Sequence, residues 1–133
     1  MAAANLHDSI STIECIGNAD RTALLPRHEG LNVLPNTPFF AKLLRHARRN
    51  RLAIYDADMG IRKTYGDILS DALTLRQVIK SQLSPATLAA LKAGSEIYIG
   101  VLSAGGYEFT VAMLAVLALG AATVPMSKSI MSA

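Results

Sequence analysis

The stretch 96–126 limits this chain most. Between Ser103 and Met126 it carries one charge, Glu108. Ile97, Tyr98, Ile99, Val101 and Leu102 are mostly β-branched, aromatic or long aliphatic residues, suited to a pleated buried surface. Gly105 and Gly106 let the chain turn. Val111 to Leu119 holds no polar residue, so a helix there is apolar all round and must be buried on more than one face. Glu108 falls in its first turn, where the helix dipole favours a carboxylate, and Gly120 closes it as a left-handed cap. Ala121 to Val124 then runs into Pro125, which cannot donate to a sheet ladder and is expected to close the strand. The fold class is α/β: a parallel βαβ unit of strand 97–102, helix 107–119 and strand 121–125, with a right-handed crossover. Near-continuous apolar strands are those of a parallel sheet covered on both faces.

The chain has 133 residues, enough for one core and too few for two ordinary domains. With 51% hydrophobic and 17% charged residues it is too apolar to be disordered. A net charge of +3 does not by itself argue for nucleic acid or membrane. One cysteine, Cys15, excludes an internal disulfide, fits a reducing compartment and reads as an idle thiol. His7, His28 and His46 are far apart and lack ligand-like partners, so no metal site is visible. The first residues lack the apolar core of a secretory signal, and Asp8, Glu14 and Asp20 are unlike a transit peptide. Cytoplasm, mitochondrion and peroxisome all stay open as compartments. The apolar window 109–126 invites a membrane span, but Gly120 and Pro125 divide it, and a span needs about 20 apolar residues.

Residues 1–36 read as an irregular leader with at most a short helix or strand packed on the surface. Thr37-Pro38 then starts a helix. Phe39, Phe40, Leu43, Leu44 and Ala47 form its apolar face. The cations from Arg45 to Arg51 have two readings: a patch for phosphate or nucleic acid, or a solvated helix end complementing the negative C-terminus. The second is favoured, because no aromatic or second basic segment accompanies them. Strands 52–56 and 61–64 form a hairpin around Asp56-Ala57-Asp58-Met59-Gly60, where the two carboxylates serve the turn. Thr64 and Asp67 resemble a capping box opening a long helix. Its buried face is Tyr65, Ile68, Leu69, Ala72, Leu75, Ile79 and Leu83; Asp67, Ser70, Asp71, Arg76, Gln77 and Lys80 are expected in water. Ser84-Pro85 starts a short helix to Lys92, closed by Gly94. Residues 127–133 form a divergent tail.

This order resembles the N-terminal part of the adenylate-forming enzymes, the acyl-CoA synthetases and AMP-dependent ligases. Thr64-Tyr65-Gly66-Asp67-Ile68 is similar to that family's Thr-Tyr-x-Glu-Leu segment. Gly94-Ser95-Glu96-Ile97-Tyr98-Ile99 is similar to its Gly-Asp-x-Val strand opening. The passage 115–125 resembles its helix, Gly-Ala, strand, Val-Pro sequence. The resemblance covers 37–126, read as a partial N-terminal subdomain of an AMP-binding ligase. It implies ATP-dependent acyl activation for the full-length family: a carboxylate and ATP give an acyl-adenylate, which then passes to coenzyme A. ATP, magnesium, coenzyme A and a carboxylic acid are thus implied partners of the family, with fatty acid metabolism as the setting. Asp67 stands where glutamate is usual and Ser95 where aspartate is usual, and 85–92 reads as extra sequence.

Phosphoryl chemistry needs backbone N–H groups, a lysine and a metal around charged oxygens. The family supplies them downstream of the matched region. Here there is no Gly-x-x-x-x-Gly-Lys-Ser/Thr loop, no Gly-x-Gly-x-x-Gly, and no Ser-His-Asp or Cys-His grouping. Gly105-Gly106 could seat an anion at a helix N-terminus, but no lysine or hydroxyl-rich run flanks it, and a turn pair is the better reading. No catalytic, cofactor-binding or metal residue is therefore assigned. The chain is expected to be a fragment of an acyl-activating enzyme, inactive alone and prone to aggregate through an uncovered sheet face. The alternatives are a small basic interaction module using 45–51 and a membrane-associated protein inserting 109–126.

Overall fold

The computed structural model describes Glu14–Cys15 and residues 32–127. In chain order these form β1 (Glu14–Cys15), β2 (Val33–Leu34), α1 (Pro38–Arg48), β3 (Leu52–Asp56), β4 (Ile61–Thr64), α2 (Tyr65–Gln82), α3 (Pro85–Lys92), β5 (Tyr98–Leu102), α4 (Gly106–Leu119) and β6 (Ala122–Met126). The fold is α/β, with a parallel pair β1–β2, an antiparallel hairpin β3–β4 and a parallel pair β5–β6. The readings of Cys15 as an idle thiol and of the tail beyond Ser127 concern side chains and residues outside those described.

Local chemistry sets the helix ends. The side chain of Thr37 accepts from the Phe40 N–H at 3.4 Å, and that of Ser84 from the Thr87 N–H at 3.1 Å; each is followed by proline in the first turn. At α2 the capping box is complete. Thr64 Oγ1 accepts from the Asp67 N–H at 3.2 Å, and Asp67 Oδ2 accepts from the Thr64 N–H at 2.8 Å, so two orphan donors are satisfied reciprocally.

Three helices end alike. After α4, Gly120 (φ 94°) donates to Leu117 O and Ala121 to Val116 O. After α3, Gly94 (φ 81°) donates to Leu91 O and Ser95 to Ala90 O. After α1, Asn50 (φ 50°) donates to Ala47 O and Arg51 to His46 O. Each is the paired-bond Schellman motif, which needs a left-handed residue just past the helix. Asparagine fills that place in α1 because its short polar side chain tolerates the conformation.

The core is built by helices. Phe40, Leu44 and Ala47 of α1 pack with Ile68, Leu69, Ala72 and Leu73 of α2 and with Val111, Leu114, Ala115 and Ala118 of α4. A second cluster lies on the far side of α4, where Val116 meets Val101 of β5 and Ala121, with Ile97, Ile99, Phe109 and Ala112 beside them. Helix α4 is thus buried on two faces, as its lack of polar residues demands. Strands β5 and β6 pair in parallel from Tyr98↔Ala122 to Leu102↔Met126.

Five expectations change. Ser70 was expected in water, but its hydroxyl is enclosed with no hydrogen-bond partner. Leu34 was placed in a surface leader but is 0% exposed and belongs to the main core, with Pro35 also fully buried. Arg76 was expected in water and is 4% exposed. It lies one turn on from Ala72 and Leu73, so helical spacing puts it on the buried stripe. Phe39 was placed on the apolar face of α1 but is 49% exposed; it packs edge-on against buried Phe40, with ring centroids 5.2 Å apart. Pro125 was expected to close the last strand, yet it pairs with Val101 and the ladder continues to Met126. An edge strand tolerates proline because one side of its backbone has no ladder to serve.

Candidate functional site

In α/β proteins ligands gather beyond the carboxyl ends of the parallel strands. Here that place is the turn from β5 into α4, residues 103–106. Gly105 (φ 95°) and Gly106 (φ 72°) take conformations that L side chains rarely adopt, and a Cβ added at either would meet nothing within 4 Å. Glycine is required there by backbone angle, not by crowding. No side chain caps α4; Thr110 Oγ1 donates to Gly106 O at 3.1 Å, and Glu108 sits in the first turn. Ser103 Oγ is enclosed with no hydrogen-bond partner. The carboxylate of Glu108 opposes an anion at this helix start, so the turn alone offers poor phosphate-binding chemistry.

On the opposite side of α4, Tyr107 donates its hydroxyl to Asp71 of α2, and the Lys63 ammonium of β4 lies 5.0 Å from the centre of its ring. Burial first, then the hydrogen bond and charge of Asp71, then the charge of Asp67, push the Tyr107 hydroxyl above its ordinary range. The phenol stays protonated, acting as a tie between helices rather than a base. Sequence reasoning left this pair unrecognised. Its members are 36 residues apart, and no local spacing announces them.

Arg76 fastens three elements. Its Nη1 donates to Val33 O of β2 at 2.7 Å and to Ala118 O in the last turn of α4 at 3.3 Å. The two Schellman bonds use Leu117 O and Val116 O, so the guanidinium takes a helix-end carbonyl that they leave. A cation at that negative helix end is also favoured by the dipole. Burial lowers the guanidinium's affinity for its proton, but arginine stays charged.

The basic segment at the end of α1 surrounds His46. Its ring lies against Tyr65, 5.1 Å between centroids, and its Nδ1 is enclosed without a partner. Burial first, then Arg51, Lys42, Arg49 and Arg45 in turn, hold the imidazole below its ordinary 6.5, and therefore neutral at pH 7. Of the hairpin pair Asp56 and Asp58, Asp56 serves the turn: its Oδ1 accepts from the Met59 N–H at 3.1 Å. Among the described residues no group of three or more His, Cys, Asp or Glu could hold a metal ion. No helix among them is long and apolar enough to cross a membrane. The window 109–126 is instead most of α4, a turn and the strand β6.

The fold and its side chains describe an α/β scaffold in which fastening groups outnumber reactive ones. Among curated proteins, the chain is similar to the acyl-CoA ligase oryP of Aspergillus oryzae (strain ATCC 42149 / RIB 40), with 37% identity over 94 residues. The match takes in 68% of this chain and 16% of that ligase, so the chain spans about a sixth of its relative's length. No family model matches the chain. No solved structure matches it.

Proposed function

We propose that this chain is part of the N-terminal body of an acyl-activating, adenylate-forming enzyme, supplying scaffold rather than reacting groups. The observation that carries the reading is the 37% identity with an acyl-CoA ligase. Two features of the chain fit it. The α4 helix is sandwiched as in the interior of a larger α/β body, and the outer side of β5–β6 is apolar and uncovered among the described residues, with Tyr98, Leu102 and Val124 exposed.

The proposed reaction has two halves. A carboxylate oxygen attacks the α-phosphorus of ATP and pyrophosphate leaves; the thiol of coenzyme A then attacks the acyl carbon and AMP leaves. Magnesium and a lysine would neutralise the charge that develops on the phosphate oxygens. The residues described here supply neither a metal cluster nor a lysine-ended loop. In this reading the 133 residues by themselves release no pyrophosphate. The identity of the acid stays open.

Two measurements test this. The first incubates the purified chain with ATP, magnesium, coenzyme A and a panel of carboxylic acids. No pyrophosphate is expected, and release above background would refute the scaffold role. The second reads the genomic DNA beyond the Met126 codon. A continuing frame with a Ser/Thr/Gly-rich, lysine-ended loop is expected; a continuing frame without one removes the acyl-activating reading.

A further inference from the structure

Helix α1 presents two unlike faces. Phe40, Leu44 and Ala47 are buried in the core. At 100° per residue, Lys42, Arg45, His46 and Arg49 fall on the opposite side, and Phe39 lies beside them. Lys42, Arg45, Arg48, Arg49 and Arg51 are all exposed. Residues 42–51 thus hold five of the chain's 13 Lys and Arg and none of its 10 Asp and Glu, so the rest of the chain is acidic on balance.

The helix dipole accounts for cations in the last turn only. Lys42 lies earlier, and Lys42–Arg45 and Arg45–Arg49 are like-charge neighbours at helical spacings that weaken a helix. Among the described residues no carboxylate is paired with any of the five cations. Asp56 and Asp58 sit at the far turn of the adjoining hairpin, the nearer of them five residues from Arg51. Helical spacing puts Lys42, Arg45 and Arg49 on one side of α1, and Arg51 follows directly, its backbone N–H bonded to His46 O.

We propose that the outer face of α1, Lys42, Arg45, Arg49 and Arg51 with Phe39 at its head, is a docking surface for an anionic lipid bilayer. Charge complementarity selects an anionic occupant, and shape selects the bilayer. The cations follow the convex outside of a helix for about 10 Å. They stand on the outer side of a helix, and among the described residues of α1 Phe39 is the exposed aromatic beside them, so successive bases meet no row of rings to stack on. A flat anionic surface meets such a stripe along its length, and a half-exposed phenyl ring beside the cations can enter the headgroup layer. The contact is peripheral, because the apolar face of α1 is already occupied by the core.

The test is flotation of the full chain with phosphatidylcholine vesicles, with and without phosphatidylserine. Flotation separates bound protein from aggregates, which sediment. Binding is expected only with phosphatidylserine, at about 0.1 M salt and not at about 1 M. Each cation near an anionic leaflet strengthens partitioning about fivefold, so combined Lys42→Gln, Arg45→Gln and Arg49→Gln should lower it about a hundredfold. Removing charges elsewhere, Lys80→Gln with Lys92→Gln, should leave it within about twofold, because those cations lie outside the stripe. Should the triple variant fold poorly by circular dichroism, the salt dependence of the unaltered chain and a weaker Phe39→Ser variant carry the same test. The proposal is overturned by absence of binding, by equal binding to neutral vesicles, by binding that survives about 1 M salt, or by an oligonucleotide capturing the chain when vesicles do not.

Discussion

The two sides of α4 contrast sharply. One side faces α1, α2 and β2, and there the centre of the contact is fully enclosed: Leu34, Leu69, Ala115 and Ala118 are at most 1% exposed. The other side faces β5 and β6, whose inward Ile99 and Val101 are covered while outward Tyr98, Leu102 and Val124 are not. Tyr98, Gly100 and Leu102 pair with Ala122, Val124 and Met126 on the outer face, an apolar patch with Glu96 at its edge, where it accepts from the Tyr98 hydroxyl. Tyr98 is 64% exposed and Leu102 46%. Helices can close a core by packing stripe on stripe, whereas a parallel sheet needs a layer on each face. The same apolar composition is therefore finished business on one side and, among the described residues, half-covered on the other.

The largest expected effect tests how firmly the helical side is closed. Arg76→Ala removes the donor that Val33 O and Ala118 O share and leaves a hole beside α2. Unfolding by urea should show a loss of about 3 kcal/mol, the scale for deleting a buried charged hydrogen-bonding group. It should also free β2, read as faster amide exchange at Val33 and Leu34. A loss below about 0.5 kcal/mol, the level of an ordinary surface substitution, would mean that the guanidinium is not what joins the leader to the helices.

Arg76 also marks where sequence reading stops. The capping chemistry was legible: Thr37, Thr64 and Ser84 begin helices and Gly94 and Gly120 end them, because those residues solve a local hydrogen-bonding problem that spacing reveals. The βαβ unit was legible too, to within a residue at each boundary. Three things were not. Arg76 follows the buried period of α2, but its charge argued for water; carbonyls distant in sequence, Val33 O and Ala118 O among its partners, make burial favourable. Leu34 sits among turn-forming residues with no period around it. Phe39 was read into the apolar face by helical spacing, yet it lies about 100° round the helix from Phe40, towards the cationic face. For the site, the Tyr107–Asp71 tie is a tertiary contact with no motif, while the absence of a phosphate loop could be read directly.

A middle-sized effect probes the link between the two sides. Gly120 turns the chain from α4 into β6 at φ 94°. Alanine there meets the left-handed penalty, so Gly120→Ala should lower stability by about 1–2 kcal/mol. Both Schellman bonds, and the Val116–Ala121 contact that spans them, should loosen together. If the cost is confined to β5–β6, amide exchange will rise in those strands and hold steady in α1 and α2. Uniform loosening would show instead that the sheet and the helical core melt as one unit.

The smallest effect makes the contrast itself measurable, with one chemical change on two faces of one sheet. Valine to threonine keeps the branched shape that strands favour and adds a hydroxyl. At Val101, 7% exposed and set among Val116 and Ala121, that hydroxyl loses water and gains no assured partner; about 1–2 kcal/mol should be lost. At Val124, 41% exposed on the outer face, it keeps its water, and stability should move by less than about 0.5 kcal/mol. Solubility should separate the two in the opposite sense. Val124→Thr breaks the patch of Tyr98, Leu102 and Met126, so the concentration at which light scattering begins should rise, whereas Val101→Thr should leave that onset unchanged or lower it. Equal costs at both positions would show that something covers the outer face in solution, and the contrast between the two sides of α4 would then be lost.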